Sequence, residues 1–335
     1  MKIFARHRAI GLDIEAGVVR ALVLEGSAER ARITGIGAAP IAAGVGGSTP
    51  AQAIHAALAQ ARVEGEPVVA AVGGPDVVVR QLTLPPVPAD RVLQALELQH
   101  RDFGLLPPSE GLLDAQILGR SKTECRVLAV SAPRPAVEDR LRLLEQAAVK
   151  VQTLDIEALA VLNAALHLSR VDRRELLVAL DLAKERAVLC LLSERGPVVL
   201  RYLDVGASAI IEALHRDGVA VSEAGALPEP AGEADTSPAA EACRAIIRRI
   251  ADEIRLSLAF YRSEYDRESV PRYLLSGWLR VRRLNRWLTD ELRLESPFEV
   301  MDPFQSVRVT APQGRGDELA GPEFVQAFGL ALRAL

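Results

Sequence analysis

Ala9-Ile10-Gly11-Leu12-Asp13-Ile14-Glu15-Ala16-Gly17-Val18-Val19-Arg20-Ala21-Leu22-Val23-Leu24 is an apolar run broken by an aspartate, a short polar turn and a second apolar run. The same form returns past mid-chain as Leu176-Leu177-Val178-Ala179-Leu180-Asp181-Leu182-Ala183-Lys184-Glu185-Arg186-Ala187-Val188-Leu189-Cys190-Leu191-Leu192. Short continuous apolar runs bounded by turn residues read as strands buried on both faces. Each stretch therefore predicts a hairpin, and two copies predict two related α/β lobes. A carboxylate near the end of a buried strand, facing the exposed N–H groups of a turn, suits a phosphate–metal site.

Working outward, Arg32–Ile36 reads as a third strand of the first hairpin and Pro50–Ala61 as a helix with Ile54 and Leu58 on one face. Val68–Val72 reads as a buried strand and Val77–Leu84 as a half-buried one, stopped by Pro85-Pro86-Val87-Pro88. A helix follows with Val92, Leu93, Leu96 and Leu98 mostly on one side. Then come strands at Leu112–Leu118 and Cys125–Val130, and a helix at Ala136–Ala148 with Leu141, Leu144 and Ala148 on one face. This β-α-β-β-α stretch, about 76–150, reads as an inserted subdomain of a first lobe spanning 1–170.

Val151–Asp155 (strand) and Ile156–Leu168 (helix) close that lobe. The second lobe, 171–335, opens on the second hairpin and a strand at Pro197–Leu203, and carries a helical and loop insertion at about 207–268. Asp217–Glu241 is rich in Ala, Gly, Pro and acidic residues, and reads as a surface loop. Ala242–Arg262 is the strongest helix, with Ile246, Ile250, Ile254, Leu258 and Tyr261 at three- and four-residue spacing. Further elements are a strand at Tyr273–Gly277, a helix at Arg280–Leu292, a strand at Phe298–Val300 and a closing helix at Pro322–Leu335.

Composition narrows the function. The chain has 335 residues, enough for two full cores. Its formal charge of -4 supplies no global basic field for nucleic acid. No apolar run reaches the roughly 20 residues needed to span a bilayer, and the basic start from Met1 to Arg8 lacks a following apolar signal region. Cys125, Cys190 and Cys243 are odd in number and have no ligand spacing, so they read as reduced and buried. His7, His55, His100, His167 and His215 are dispersed and read as surface residues, with no metal site among them. No Gly-rich loop followed by Gly-Lys-Ser/Thr and no nucleophile elbow is present.

In this order, the motifs resemble the actin-like superfamily and, within it, the type IV pilus assembly PilM family. The residues that carry the resemblance are Ala9–Ile14, Arg80–Pro85 with the helix Leu93–Gln99, Ala148–Ala158, Ala251–Tyr261 and Phe324–Leu332. The resemblance implies an actin-like (RNase H-like) two-lobe fold with an FtsA-type inserted subdomain. It implies a cytoplasmic adaptor, peripheral to the inner membrane through its partner, beneath a type IV pilus or a related secretion machine. The implied partner is the N-terminal cytoplasmic tail of a PilN-like membrane protein, with other platform proteins beside it. By resemblance, the tail pocket lies between the first lobe and the inserted subdomain, with Val87, Leu93, Leu96, Phe103 and Leu112 as candidates.

The resemblance also places a nucleotide between the lobes, and here the sequence departs from the family. The first turn has Glu15 and Ala16 where the family has glycine and serines, with Gly17 one step later and Arg20 in place of lysine. A carboxylate about 4 Å from a phosphate costs on the order of 4 kcal/mol at an effective dielectric near 20. The second turn has Asp181-Leu182-Ala183 for Asp-Ile-Gly. Lys184 after it is either a solvated turn residue or a phosphate contact. In the adenosine loop, Ser276-Gly277 is followed by Trp278, which either stacks on adenine or fills its space. Glu253 and Arg255 either line the cleft or form an ordinary exposed pair. The expected cofactor is thus none, or weakly bound ATP/Mg. The alternatives are a functional ATP-binding switch or slow ATPase using Asp13 and Asp181 for the metal, and a sugar or metabolite kinase, for which no substrate loop stands out.

Overall fold

The computed structural model describes residues 7–42, 47–169, 176–193, 196–216, 238–265, 271–278, 284–310 and 320–335. In chain order the elements are β1 (Arg8–Glu15), β2 (Val18–Glu25), β3 (Arg32–Pro40), α1 (Pro50–Gln60), β4 (Val68–Val72), β5 (Val78–Leu84), α2 (Val92–Leu98), β6 (Gly111–Arg120), β7 (Cys125–Pro133), α3 (Arg134–Gln146), β8 (Val151–Ile156) and α4 (Glu157–Leu168). The second half runs β9 (Leu176–Leu182), β10 (Ala187–Ser193), β11 (Gly196–Leu203), α5 (Ala207–Arg216), α6 (Pro238–Tyr265), β12 (Pro271–Gly277), α7 (Leu284–Leu292), β13 (Glu299–Val300), α8 (Pro303–Ser306), β14 (Arg308–Val309) and α9 (Val325–Leu332).

Two sheets repeat one plan. The first has the order β14-β3-β2-β1-β4-β8 and the second β11-β10-β9-β12-β13. In each, an antiparallel three-strand meander (β1–β3 and β9–β11) is extended by parallel strands beside its first member. The two hairpins predicted from the sequence are thus the starting strands of two topologically equivalent sheets. Parallel strands need covering on both faces, which explains their near-continuous apolar runs.

Helices α4 and α9 fill the space between the sheets. Their Ala158, Val161, Ala165, Phe328 and Ala331 share a core with Leu22 and Leu24 of the first sheet and Leu177, Ala179 and Cys190 of the second. Outer helices cover the remaining faces: α1 and α3 lie on the first sheet through Ile54, Leu58 and Leu144, and α5 to α7 lie on the second through Ile210, Ile250, Ile254 and Leu288. The crossing of α4 and α9 is close. A Cβ on Gly329 would lie 1.8 Å from the Ala160 carbonyl oxygen, so only glycine permits this approach.

The inserted elements β5, β6 and β7 form a separate three-stranded sheet, β5-β7-β6. Helix α2 covers one face through Val92 and Leu96, which pack with Leu84, Leu105, Cys125 and Val127. Leu93 and Leu98 point away and are 42% and 79% exposed, so the expected four-residue face of this helix is only two residues wide. Positions 92 and 96 are four apart and stack, whereas 93 and 98 fall on other sides. Leu141 of α3 likewise faces solvent while Leu144 is buried. The long helix α6 begins at Pro238, so its first turn takes in Glu241, and residues 217–237 of the expected loop lie outside the described residues.

Candidate functional site

The strand register builds the cleft. Asp13 and Glu15, two apart on β1, share a face, and Arg20 stands opposite Asp13 on β2. The Arg20 guanidinium donates to Asp13 Oδ2 at 3.1 Å and to Glu15 Oε1 at 2.7 Å. Gln326, from α9, donates to the other Asp13 oxygen at 2.9 Å. In the second sheet, Ser276 of β12 lies beside Asp181 of β9, and its hydroxyl donates to Asp181 Oδ1 at 2.6 Å. The lobes meet at the turns. The Lys184 backbone N–H donates to Glu15 Oε2 at 3.4 Å, and the Lys184 side chain lies over Gly17, where an added Cβ would come within 3.1 Å of Nζ.

Both aspartates are buried, and burial pushes both carboxyls up. For Asp13 the neighbouring Glu15 adds to the rise and Arg20 opposes it. Asp181 rises to about 7, with the Ser276 hydrogen bond working the other way. Burial disfavours charge on Arg20, but Glu15 and Asp13 outweigh it and hold the guanidinium cationic. A carboxyl whose folded value exceeds its unfolded value favours folding below the unfolded value, and that contribution is lost as pH rises through the folded one. Asp181 should therefore make the protein less stable as pH climbs from about 4 to about 7. Asp181→Asn keeps an acceptor for Ser276 and is expected to flatten that part of the profile, which urea unfolding at a series of pH values measures.

Above this floor lies a cavity of about 560 Å³, bordered by Gly17, Arg20, Lys184, Glu185, Ser208, Glu212, His215, Trp278, Glu323 and Phe324. Trp278 follows Gly277, where a φ of +90° and the close Leu182 backbone, 2.4 Å from any added Cβ, both call for glycine. Its backbone N–H donates to the Leu182 carbonyl at 2.7 Å, and its half-buried ring packs on the second-lobe core while bordering the cavity.

The structure thus brings together Asp13, Glu15, Gly17, Arg20, Asp181, Lys184, Ser276, Gly277 and Trp278. It does not bring Glu253 and Arg255 to the cleft. Two residues apart on α6, they point about 200° apart around the helix. Glu253 pairs with Arg201 at 3.2 Å, and Arg255 with Asp252 at 2.7 Å and with Glu291. Sequence reasoning missed Gln326, although a lone polar residue inside the apolar run Val325–Leu332 was a visible signal. It also missed the partly buried Glu157, whose carboxyl burial pushes up while Arg140 and Arg186 act the other way.

A second depression, a groove of about 940 Å³, runs between the inserted sheet and the first lobe. Leu112 through Leu118 of β6 line it without a gap, as do Leu154, Asp155 and Ile156 of β8. Successive side chains alternate across a strand, so an unbroken lining means that the strand edge itself borders the groove. Both strands end their sheets, and among the described residues neither has a neighbour on that side. Leu159, Leu162 and Leu166 of α4 and Leu128 and Val130 of β7 give an apolar wall, and Leu192 and Pro197 of the second lobe complete it. Of the five partner candidates only Leu112 lies in the groove. Leu96 is buried in the inserted core, Phe103 and Val87 pack beside it, and Leu93 faces outward. Of the segments that the resemblance offers, Leu112–Leu118 lines this groove and the helix before it does not.

Residues 11–335 match the family described as type IV pilus assembly protein PilM. The chain belongs to the PilM family. Among solved structures, a PilM–PilN type IV pilus biogenesis complex is similar over 97% of this chain and 98% of that one, with 25% identity and a TM-score of 0.77. The ethanolamine utilization protein EutJ from Carboxydothermus hydrogenoformans covers 97% of this chain and 89% of its own, at 11% identity and a TM-score of 0.50, a likeness of fold. No curated protein matches the chain. The fold is actin-like, as the resemblance implied. No described helix of this PilM-family chain is long and apolar enough to cross a membrane.

Proposed function

We propose that the chain is a cytoplasmic adaptor of a type IV pilus assembly platform, holding the extended N-terminal tail of a PilN-like membrane protein in the groove between β6 and α4. The observation that carries this reading is the pair of open strand edges, β6 and β8, flanking an apolar channel. An extended peptide adds to such an edge through its main chain and sets its alternate side chains into pockets. A relative with 25% identity is a PilM solved with PilN, which supports the choice of partner. Membrane association is then indirect, through the tail.

The same reading makes the interlobe cleft degenerate toward Mg-ATP. Arg20 donates to one Asp13 oxygen and Gln326 to the other, so a hydrated cation would compete with a buried guanidinium and an amide for this carboxyl. Asp181 is held by Ser276 and is only partly ionised near neutral pH. The Lys184 N–H that would meet a phosphate meets Glu15.

The groove is tested by titrating a synthetic PilN-type tail peptide into single variants. Leu112 and Leu166 are 39% and 46% exposed, so a charge there is compatible with folding. Leu112→Glu and Leu166→Glu are expected to weaken the peptide at least about tenfold, or about 1.4 kcal/mol each, with unchanged thermal stability. Leu93→Glu, on the outer side of α2, should leave affinity unchanged. Equal affinities in all four proteins would move the docking surface elsewhere.

A further inference from the structure

We infer that Glu15 is a built-in anion that takes the place of a phosphate between the two hairpins and clasps the lobes without any ligand. The inference rests on the degenerate-cleft reading and goes beyond it, because it assigns the departure from glycine a positive role. Two kinds of donor that bind phosphate, a guanidinium and a turn N–H, converge on one carboxylate. Arg20, from the same hairpin, donates to Oε1 at 2.7 Å, and Lys184, from the other lobe, donates its backbone N–H to Oε2 at 3.4 Å. The Lys184 side chain then folds back over Gly17, so the two turns touch at a second point. The groups facing Glu15 are therefore Arg20 and Asp13 on its own hairpin, Lys184 from the second lobe, and the carboxyls of Asp181 and Glu157. The Glu15 side chain is 16% exposed and Arg20 is 8% exposed, which keeps the contact largely out of water.

The clasp reaches the groove. Leu192, near the end of β10, and Pro197, near the start of β11, complete the groove wall, and β10 is the strand that leaves the Lys184 turn. A lobe pair held together by Glu15 keeps that wall in position at all times. Tail docking then needs no nucleotide.

The test compares wild type with Glu15→Ser and Glu15→Gln. Serine leaves Arg20 paired one-to-one with Asp13, so no charge is stranded and the variant is expected to fold. Amide hydrogen exchange at Lys184 should speed up by at least about tenfold in Glu15→Ser, reflecting the lost acceptor, and less in Glu15→Gln, which retains an oxygen. Inorganic phosphate at millimolar concentration should raise the melting temperature of Glu15→Ser and leave wild type unmoved. Unchanged Lys184 exchange in Glu15→Ser, or no phosphate effect there, overturns the clasp. Saturable Mg-ATP binding by wild type sinks the degenerate-cleft reading on its own. Accelerated Lys184 exchange in the variant would still support the contact in that case, so the two failures are distinguishable.

Discussion

Replacing Arg20 by methionine is expected to lower the unfolding free energy by about 3–5 kcal/mol at pH 8, the cost of stranding a buried charge when its partner is removed. Arg20 is the only cation within hydrogen-bonding distance of both Asp13 and Glu15 among the described residues, and Asp13 is 1% exposed. Methionine keeps the stem's packing and deletes the charge. The loss should depend on pH in a definite direction. Burial and Glu15 already push the Asp13 carboxyl up, and removing Arg20 removes the opposing influence. The folded variant then holds its proton at higher pH than the unfolded chain does. Its penalty is absent below the ordinary carboxylate range and grows as pH rises. Urea unfolding at pH 5 should therefore find the variant closer to wild type than at pH 8. Equal losses at both values would mean that Arg20 contributes by packing alone.

Gly329→Val is the second large effect. The position is helical and needs no unusual backbone angle, so the cost is purely steric. The first added carbon would lie 1.8 Å from the Ala160 carbonyl oxygen, which belongs to helix backbone and cannot rotate aside. Helices α4 and α9 must separate, and they form the shared core of both lobes through Ala158, Val161, Phe328 and Ala331. A loss of at least about 3 kcal/mol is expected, the upper end for overpacking. Because the helices touch both sheets, the two lobes should lose stability together in one transition. A wild-type midpoint in denaturant would show that the crossing can open at little cost.

The sequence made the two hairpins legible because continuous apolar runs flanked by turn residues have few other readings. The equivalence of the two sheets followed from the repeat of that form. The cleft was legible wherever residues were close in sequence or on paired strands: Asp13 with Arg20, and Glu15 two positions on. It was not legible where the third dimension chose the partner. Gln326 reaches Asp13 from 313 positions away, and no local pattern announces such a contact. Glu253 and Arg255 were drawn to the cleft by resemblance, while helical geometry sends them to Arg201 and Glu291. The resemblance offers Leu96 as a partner contact, yet the inserted subdomain's own core buries it.

The open edges of β6 and β8 have a cost when the partner is missing. An unpaired strand edge is a template for any chain that offers one, including another copy of the same chain. Asp114 and Gln116, exposed on β6, blunt that tendency without abolishing it. If the proposed tail fills the groove, the protein should stay dispersed when made together with a tail-bearing chain and self-associate when made in excess of it. Matched production of the two chains thus becomes a matter of solubility as well as of assembly.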